Sequence, residues 1–134
     1  MKSIGKYGEY RVLASLLERD VEIYQAINIT QPDFDLTAIL KNKSIVRIQV
    51  KSTELHNKAT NNAIDRIDKI YDVLVVVIFE GNGSSRFFIM SKDEAMKEKG
   101  VNKQLGVTQQ RKKQSQVKES LVKYENKWET ITNV

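Results

Sequence analysis

Apolar residues recur at helical spacing from Ile4 to Leu17 (Ile4, Tyr7, Tyr10, Leu13, Ala14, Leu16, Leu17), and Ser3 stands where an N-cap is needed, so residues 3–18 are expected to form an amphipathic helix. Past Asp20 the chain turns to β-branched and aromatic residues. Residues 21–29, 33–40 and 45–51 read as strands, the last two joined by Lys41-Asn42-Lys43-Ser44 as a β-hairpin. Residues 52–62 are polar and expected to loop. Helical spacing returns at Ala63, Ile64, Ile67, Ile70 and Tyr71 and predicts a second helix, with Asp65, Arg66, Asp68 and Lys69 on its solvated face. Residues 72–80 form the continuous apolar run of a strand buried on both faces, Gly81-Asn82-Gly83 a turn, and residues 85–90 a further strand. Ser91-Lys92-Asp93-Glu94 carries the capping-box pattern that opens a helix. Near the end, Tyr124, Trp128 and Ile131 make a stripe suited to packing on a core. The order describes an α/β fold, a mixed central sheet flanked by helices, read as a single domain over residues 1–134.

Composition narrows the chemistry. With no cysteine and one histidine, His56, the chain has no disulfide framework, thiol nucleophile or thiolate zinc site, and no multi-histidine metal cage. His56 reads as a solvated loop residue placed where a DNA contact is open to it. No apolar run approaches the ~20 residues of a membrane span, and the first ten residues lack a signal-peptide core, so a cytoplasmic protein is expected. Lys and Arg number 22 against 17 Asp and Glu. The excess lies entirely in residues 97–134, with nine bases and four acids, while residues 1–96 are balanced. Between Lys103 and Lys118 stand Lys103, Arg111, Lys112, Lys113 and Lys118 and no acid, a basic segment suited to the phosphates of DNA or, equally on charge alone, a solvated lysine-rich surface.

The hairpin holds the candidate chemistry. Strand side chains alternate, so Asp33, Asp35 and Thr37 share one face of the first strand, and Arg47, Gln49 and Lys51 share one face of the second. A three-residue loop, Lys41 to Lys43, sets Asp35 opposite Gln49 and Asp33 opposite Lys51; a two- or four-residue loop breaks that alignment. Glu9 precedes Leu13 and Leu16 by four and seven residues, which places its carboxylate on or beside the buried helix face, where it needs a partner. A cation held by Glu9, Asp35 and the amide oxygen of Gln49, with the backbone carbonyl of Val50 as a further donor, supplies one. All-oxygen ligation suits Mg²⁺ or Mn²⁺. Lys51 beside it is placed to hold or deprotonate a water aimed at phosphorus, the arrangement of metal-assisted phosphodiester hydrolysis.

Gly5-Lys6-Tyr7-Gly8-Glu9, Pro32-Asp33-Phe34-Asp35-Leu36 and Gln49-Val50-Lys51 together resemble the PD-(D/E)XK nuclease superfamily, which includes restriction enzymes, Holliday-junction resolvases and a class of homing endonucleases. The resemblance covers roughly the first 80 residues. It implies a restriction-endonuclease-like core and a Mg²⁺-dependent endonuclease acting on duplex or branched DNA as a homodimer or higher homo-oligomer. Glu9 and Asp35 become acidic metal ligands, Lys51 the catalytic lysine and Gln49 the occupant of the family's acidic position. Asp33 directly follows Pro32, but Asp35 precedes the apolar continuation of the strand and is the preferred ligand, with Asp33 second. Gln49 in place of an acid lowers the ligand charge by one. A catalytically inactive nucleic-acid-binding module on the same fold is the alternative.

Overall fold

The computed structural model describes residues 3–26, 33–55, 62–112 and 114–133. Helix α1 (Ile4–Glu18) is followed by strands β1 (Glu22–Gln25), β2 (Leu36–Ile39), β3 (Ile45–Glu54), β4 (Ala63–Ile64), β5 (Val73–Phe79) and β6 (Ser85–Ser91). Helix α2 (Lys92–Lys99), strands β7 (Leu105–Gly106), β8 (Thr108–Arg111) and β9 (Gln114–Val117), a 3₁₀ turn (Glu119–Tyr124) and helix α3 (Glu129–Thr132) complete the order. The central sheet runs β1-β2-β3-β5-β6; β3 and β5 are parallel and the other neighbours antiparallel. This is the expected mixed α/β sheet flanked by helices.

All seven residues of β5 are buried because both faces of the sheet are covered. One face packs Val46, Ile48, Val73, Val75 and Val77 under Val12 and Leu16 of α1 and against Trp128 and Ile131. The other packs Leu74, Val76 and Ile78 against Ile64, Ile67, Tyr71, Leu105, Leu121 and Tyr124. The C-terminal stripe is thus split between the two faces.

The β2–β3 and β5–β6 hairpins turn on one device. Asn42 Oδ1 accepts from the Ser44 N–H at 3.0 Å and Oγ at 2.6 Å, and Asn82 does the same with Ser84 at 3.0 and 2.6 Å. Lys43 and Gly83 take positive φ values of 72° and 88°, closing three-residue loops. The first loop fixes Leu36 opposite Ile48 and Ala38 opposite Val46, the register that a loop of three demands.

Several expectations need correction. Residues 63–71 are not helical: Ala63 and Ile64 pair with Leu105 and Gly106, and Arg66 sits at φ 57°, which no right-handed helix tolerates. Ile64, Ile67 and Tyr71 are buried as their spacing suggests, whereas Ala63 and Ile70 are exposed, and only Ala63–Ile64 of the segment is strand. Strand β3 runs on to Glu54, so residues 52–54 are not loop. The ladder of β2 begins at Leu36, so Asp33 has no strand partner in Lys51. The basic segment forms strands β7 to β9, and the C-terminal stripe is carried by a 3₁₀ turn and a short helix. Of the strand expected over residues 21–29, Glu22–Gln25 is observed and residues 27–29 lie outside the described residues.

Candidate functional site

Where β2 stops, β3 carries on. The two pair only over Leu36–Ile39 and Ile45–Ile48, whereas β3 stays on β5 as far as Glu54. The alternation set at the Leu40–Ser44 bond aims both the N–H and the C=O of Val50 toward the side that β2 has left. Asp35 fills part of that gap. Its Oδ2 accepts from the Val50 N–H at 2.8 Å and from Gln49 Nε2 at 3.0 Å, while its own N–H donates to the Ile48 carbonyl at 2.8 Å. Gln49 Nε2 also lies 3.5 Å from the Val50 carbonyl oxygen. Gln49 is 6% exposed, and its Oε1 is buried without a hydrogen-bond partner among the described residues. A buried carbonyl left unpaired costs about 1–3 kcal/mol, so this one marks a position poised for an electropositive group.

Glu9 arrives from α1. The helix lies close enough to β3 for a Cβ placed on Gly8 to fall 1.9 Å from Ser52 Oγ and 3.1 Å from Ser52 Cβ. Only glycine permits this approach, and it carries the next residue, Glu9, to the end of the sheet where Asp35 stands. Glu9 is 17% exposed in its side chain, with Lys6 Nζ 3.6 Å from its Oε1. Burial raises its pKa, the charge of Asp35 raises it further, and Lys6 opposes both. Asp35 is also raised, by burial first, against the Val50 N–H, Lys51 and Lys6, which lower it. Burial pushes the Lys51 ammonium down, with Arg66 and Lys69 acting in the same direction and Asp35 and Asp65 against it. Asp35 is thus the link: its charge acts on Glu9 on one side and on Lys51 on the other.

The other predicted residues separate into groups. Among the described residues no three His, Cys, Asp or Glu side chains gather, so the acidic part of the cluster is Glu9 and Asp35. Asp33 is half-buried ahead of β2 and takes no part in the Asp35–Gln49–Val50 hydrogen bonds. Lys103 is exposed between α2 and β7, and Arg111 and Lys112 are exposed at the tip of the β8–β9 hairpin. Lys118 is half-buried at the hairpin's base, where its N–H donates to the Val107 carbonyl at 2.9 Å. Lys113, His56 and Pro32 lie outside the described residues.

Three residues were missed by sequence reasoning. Lys6 carried a signal, three residues before Glu9 on the same helix face. Gly8 carried none beyond its adjacency to Glu9, and Arg66 was hidden by the expected helix.

No protein-family model matches the chain, and no curated protein matches it. Among solved structures, that of a bacterial homing endonuclease, I-Ssp6803I, is similar, with a TM-score of 0.69 at 16% identity over 99% of this chain and 91% of that one. At that identity the likeness is one of fold. No helix of the described residues is long and apolar enough to cross a membrane.

Proposed function

We propose that the chain is a divalent-metal-dependent DNA endonuclease of the PD-(D/E)XK kind, with Gln49 in the place of the usual acid. One observation carries this reading. Asp35 closes the open edge of β3 by accepting from Val50 and Gln49, and the Glu9 carboxylate stands near enough for its pKa to register Asp35. The fold shared with a homing endonuclease supports it, as does the basic segment as a DNA surface.

The donor set fits a hard cation. Glu9 and Asp35 would hold Mg²⁺, or Mn²⁺ in its stead, with the Val50 carbonyl and Gln49 Oε1. Half a turn of the Gln49 amide exchanges Nε2, now beside Asp35 and the Val50 carbonyl, for the orphaned oxygen. Bound there, the ion supplies positive charge toward the phosphate oxygens and makes nearby water more acidic. The chain's own residues do the rest. The Val50 N–H holds Asp35 in place, and Lys6 offsets part of the repulsion between the two carboxylates. Lys51, its pKa lowered, orients the attacking water and takes its proton. Water oxygen bonds to phosphorus, the ester P–O bond breaks, and the leaving oxygen takes up a proton.

Among the described residues each chain offers one such cluster. Cutting both strands of a duplex requires two, so a homodimer or higher homo-oligomer acting in a homing, restriction-like or junction-resolving role belongs to the same proposal. Plasmid and four-way-junction cleavage with Mg²⁺, with an EDTA control, tests it. Asp35→Ala and Lys51→Ala should each abolish cutting while DNA binding persists, and full activity in either variant removes the site.

The Gln49–Asp35 hydrogen bond favours a second reading, a non-cleaving DNA-binding module whose carboxylate is already satisfied within the protein. Calorimetry separates the two: Mg²⁺ or Mn²⁺ heat that disappears in Asp35→Ala supports the nuclease, and salt-dependent DNA binding without metal heat supports the module.

A further inference from the structure

The β8–β9 hairpin pairs Gln109 with Gln116 and Arg111 with Gln114, which puts these four side chains on one face. The opposite face holds Thr108, Ser115 and Val117, which are buried (4%, 7% and 8% exposed) and tie the hairpin to the body, and Gln110, which is exposed near the tip. This other face is three amides and a guanidinium, Arg111 and Gln114 exposed and Gln109 and Gln116 half-buried, with Lys112 exposed at the tip at φ 52° and no acid between Leu105 and Lys118. Such a face does nothing for a core. Four glutamines in the eight strand residues are also poor strand formers compared with β-branched residues, so local propensity does not account for them.

The ribbon is anchored to the strand that carries the candidate site. Asn62 donates its N–H to Thr108 Oγ1 at 2.6 Å and its Nδ2 to the Glu54 carbonyl at 2.7 Å, and its carbonyl accepts from the Val107 N–H at 2.9 Å. Glu54 lies three residues beyond Lys51 on β3, about 10 Å along the strand. Anything lying against Lys51 therefore passes near the root of the ribbon.

We propose that this ribbon enters the major groove of duplex DNA and reads base edges through Gln109, Gln114 and Gln116, with Arg111 on the same face. The inference rests on the DNA-directed reading above and deepens it by assigning the groups that select a sequence. A two-stranded ribbon with its side chains fits a groove about 12 Å wide and about 8.5 Å deep. A glutamine amide offers the donor and acceptor that match adenine N7 and N6, and arginine matches guanine O6 and N7. Lys112 meets backbone phosphate. The deep, narrow major groove of A-form RNA excludes the same ribbon.

Selection from a randomised duplex library by the full-length protein, without divalent ion, tests this. Wild type should enrich a motif, and Gln109→Ala, Gln114→Ala and Gln116→Ala should each erase preference at particular positions, by roughly 5- to 150-fold per base. Gln116→Glu should move its position toward cytosine. Lys112→Gln should weaken every sequence alike and reduce the slope of log affinity against log salt by about 0.9. An unchanged motif in the triple glutamine variant, or an equal loss across all sequences, overturns base reading and leaves the nuclease reading standing, as does equal competition by double-stranded RNA. A motif that shifts as expected while the wild type fails to cut with Mg²⁺ supports the ribbon and removes the nuclease. Absence of any DNA binding at low salt overturns both.

Discussion

Replacing Gly8 by alanine tests whether the close approach of α1 to β3 places Glu9. The new methyl carbon meets Ser52 Oγ at 1.9 Å, Ser52 Cβ at 3.1 Å and Val77 Cβ at 3.8 Å. The hydroxyl can rotate away, but Ser52 Cβ is fixed to the backbone. Ordinary carbon contacts sit at about 3.5–4.0 Å, so the helix must back off by about 0.5–1 Å. Overpacking of this kind costs about 1–3 kcal/mol, which urea denaturation measures as a lower midpoint at unchanged slope. Glu9 moves with the helix, and a misplacement of about 1 Å in a reacting group costs on the order of 100-fold in rate. Ser52→Gly removes both clashing atoms, so the double variant should recover most of the lost stability and of the Mg²⁺ heat. The two changes are then strongly non-additive. Wild-type stability together with wild-type metal binding in Gly8→Ala alone would refute the packing argument and the role given to the helix.

Two further perturbations address the electrostatics. Asp35→Asn removes the second-largest cause raising the Glu9 pKa, so carboxyl NMR titration without divalent ion should find Glu9 lower than in wild type yet still raised by burial; no movement would mean that the two groups are not neighbours. In wild type both carboxylates titrate above their ordinary range. Metal binding needs both deprotonated, and calorimetry should see it weaken as pH falls into that raised range. Away from the cluster, Asp72 Oδ1 and Oδ2 accept from Arg47 at 3.0 and 3.1 Å, and the side-chain bond from Arg47 is the first cause holding Asp72 below the usual carboxylate range. Its contribution is complete above about pH 4 and is lost as pH falls through the lowered value. Arg47→Ala should therefore cost about 0.5–1 kcal/mol at pH 7, given that both side chains are partly exposed, and the difference should close in strong acid. A difference that persists unchanged at low pH assigns the loss to packing of the arginine stem.

Much of this molecule was legible in one dimension because its signals are local. The Asn-x-Ser turns fix the β2–β3 and β5–β6 hairpins within four residues each, and from the first turn follows the register that sets Asp35 beside Gln49 and Val50. The capping box is likewise local: Ser91 Oγ accepts from the Glu94 N–H at 3.1 Å, and Glu94 Oε1 accepts from the Ser91 N–H at 2.9 Å. Residues 63–71 show the opposite case. Their apolar spacing marks Ile64, Ile67 and Tyr71 as buried but also Ala63 and Ile70, which are exposed, and spacing cannot distinguish a helix from a segment whose start pairs with β7, some 40 positions later.

By itself the amino-acid order determined the alternation that lines up Asp35, Gln49 and Lys51, the buried character of the Val73–Phe79 strand and the concentration of positive charge beyond residue 96. Only the tertiary structure decided that β2 ends where Asp35 can take over its hydrogen bonds, that a helix without a side chain at Gly8 brings Glu9 to the same corner, and that the basic segment folds as a ribbon with Gln109, Gln114 and Gln116 on one face. The physical reason is range. Turns, caps and side-chain alternation depend on neighbours a few residues away, whereas the end of a ladder, the approach of a helix and the dryness of a carboxylate depend on which distant surfaces come to lie against one another.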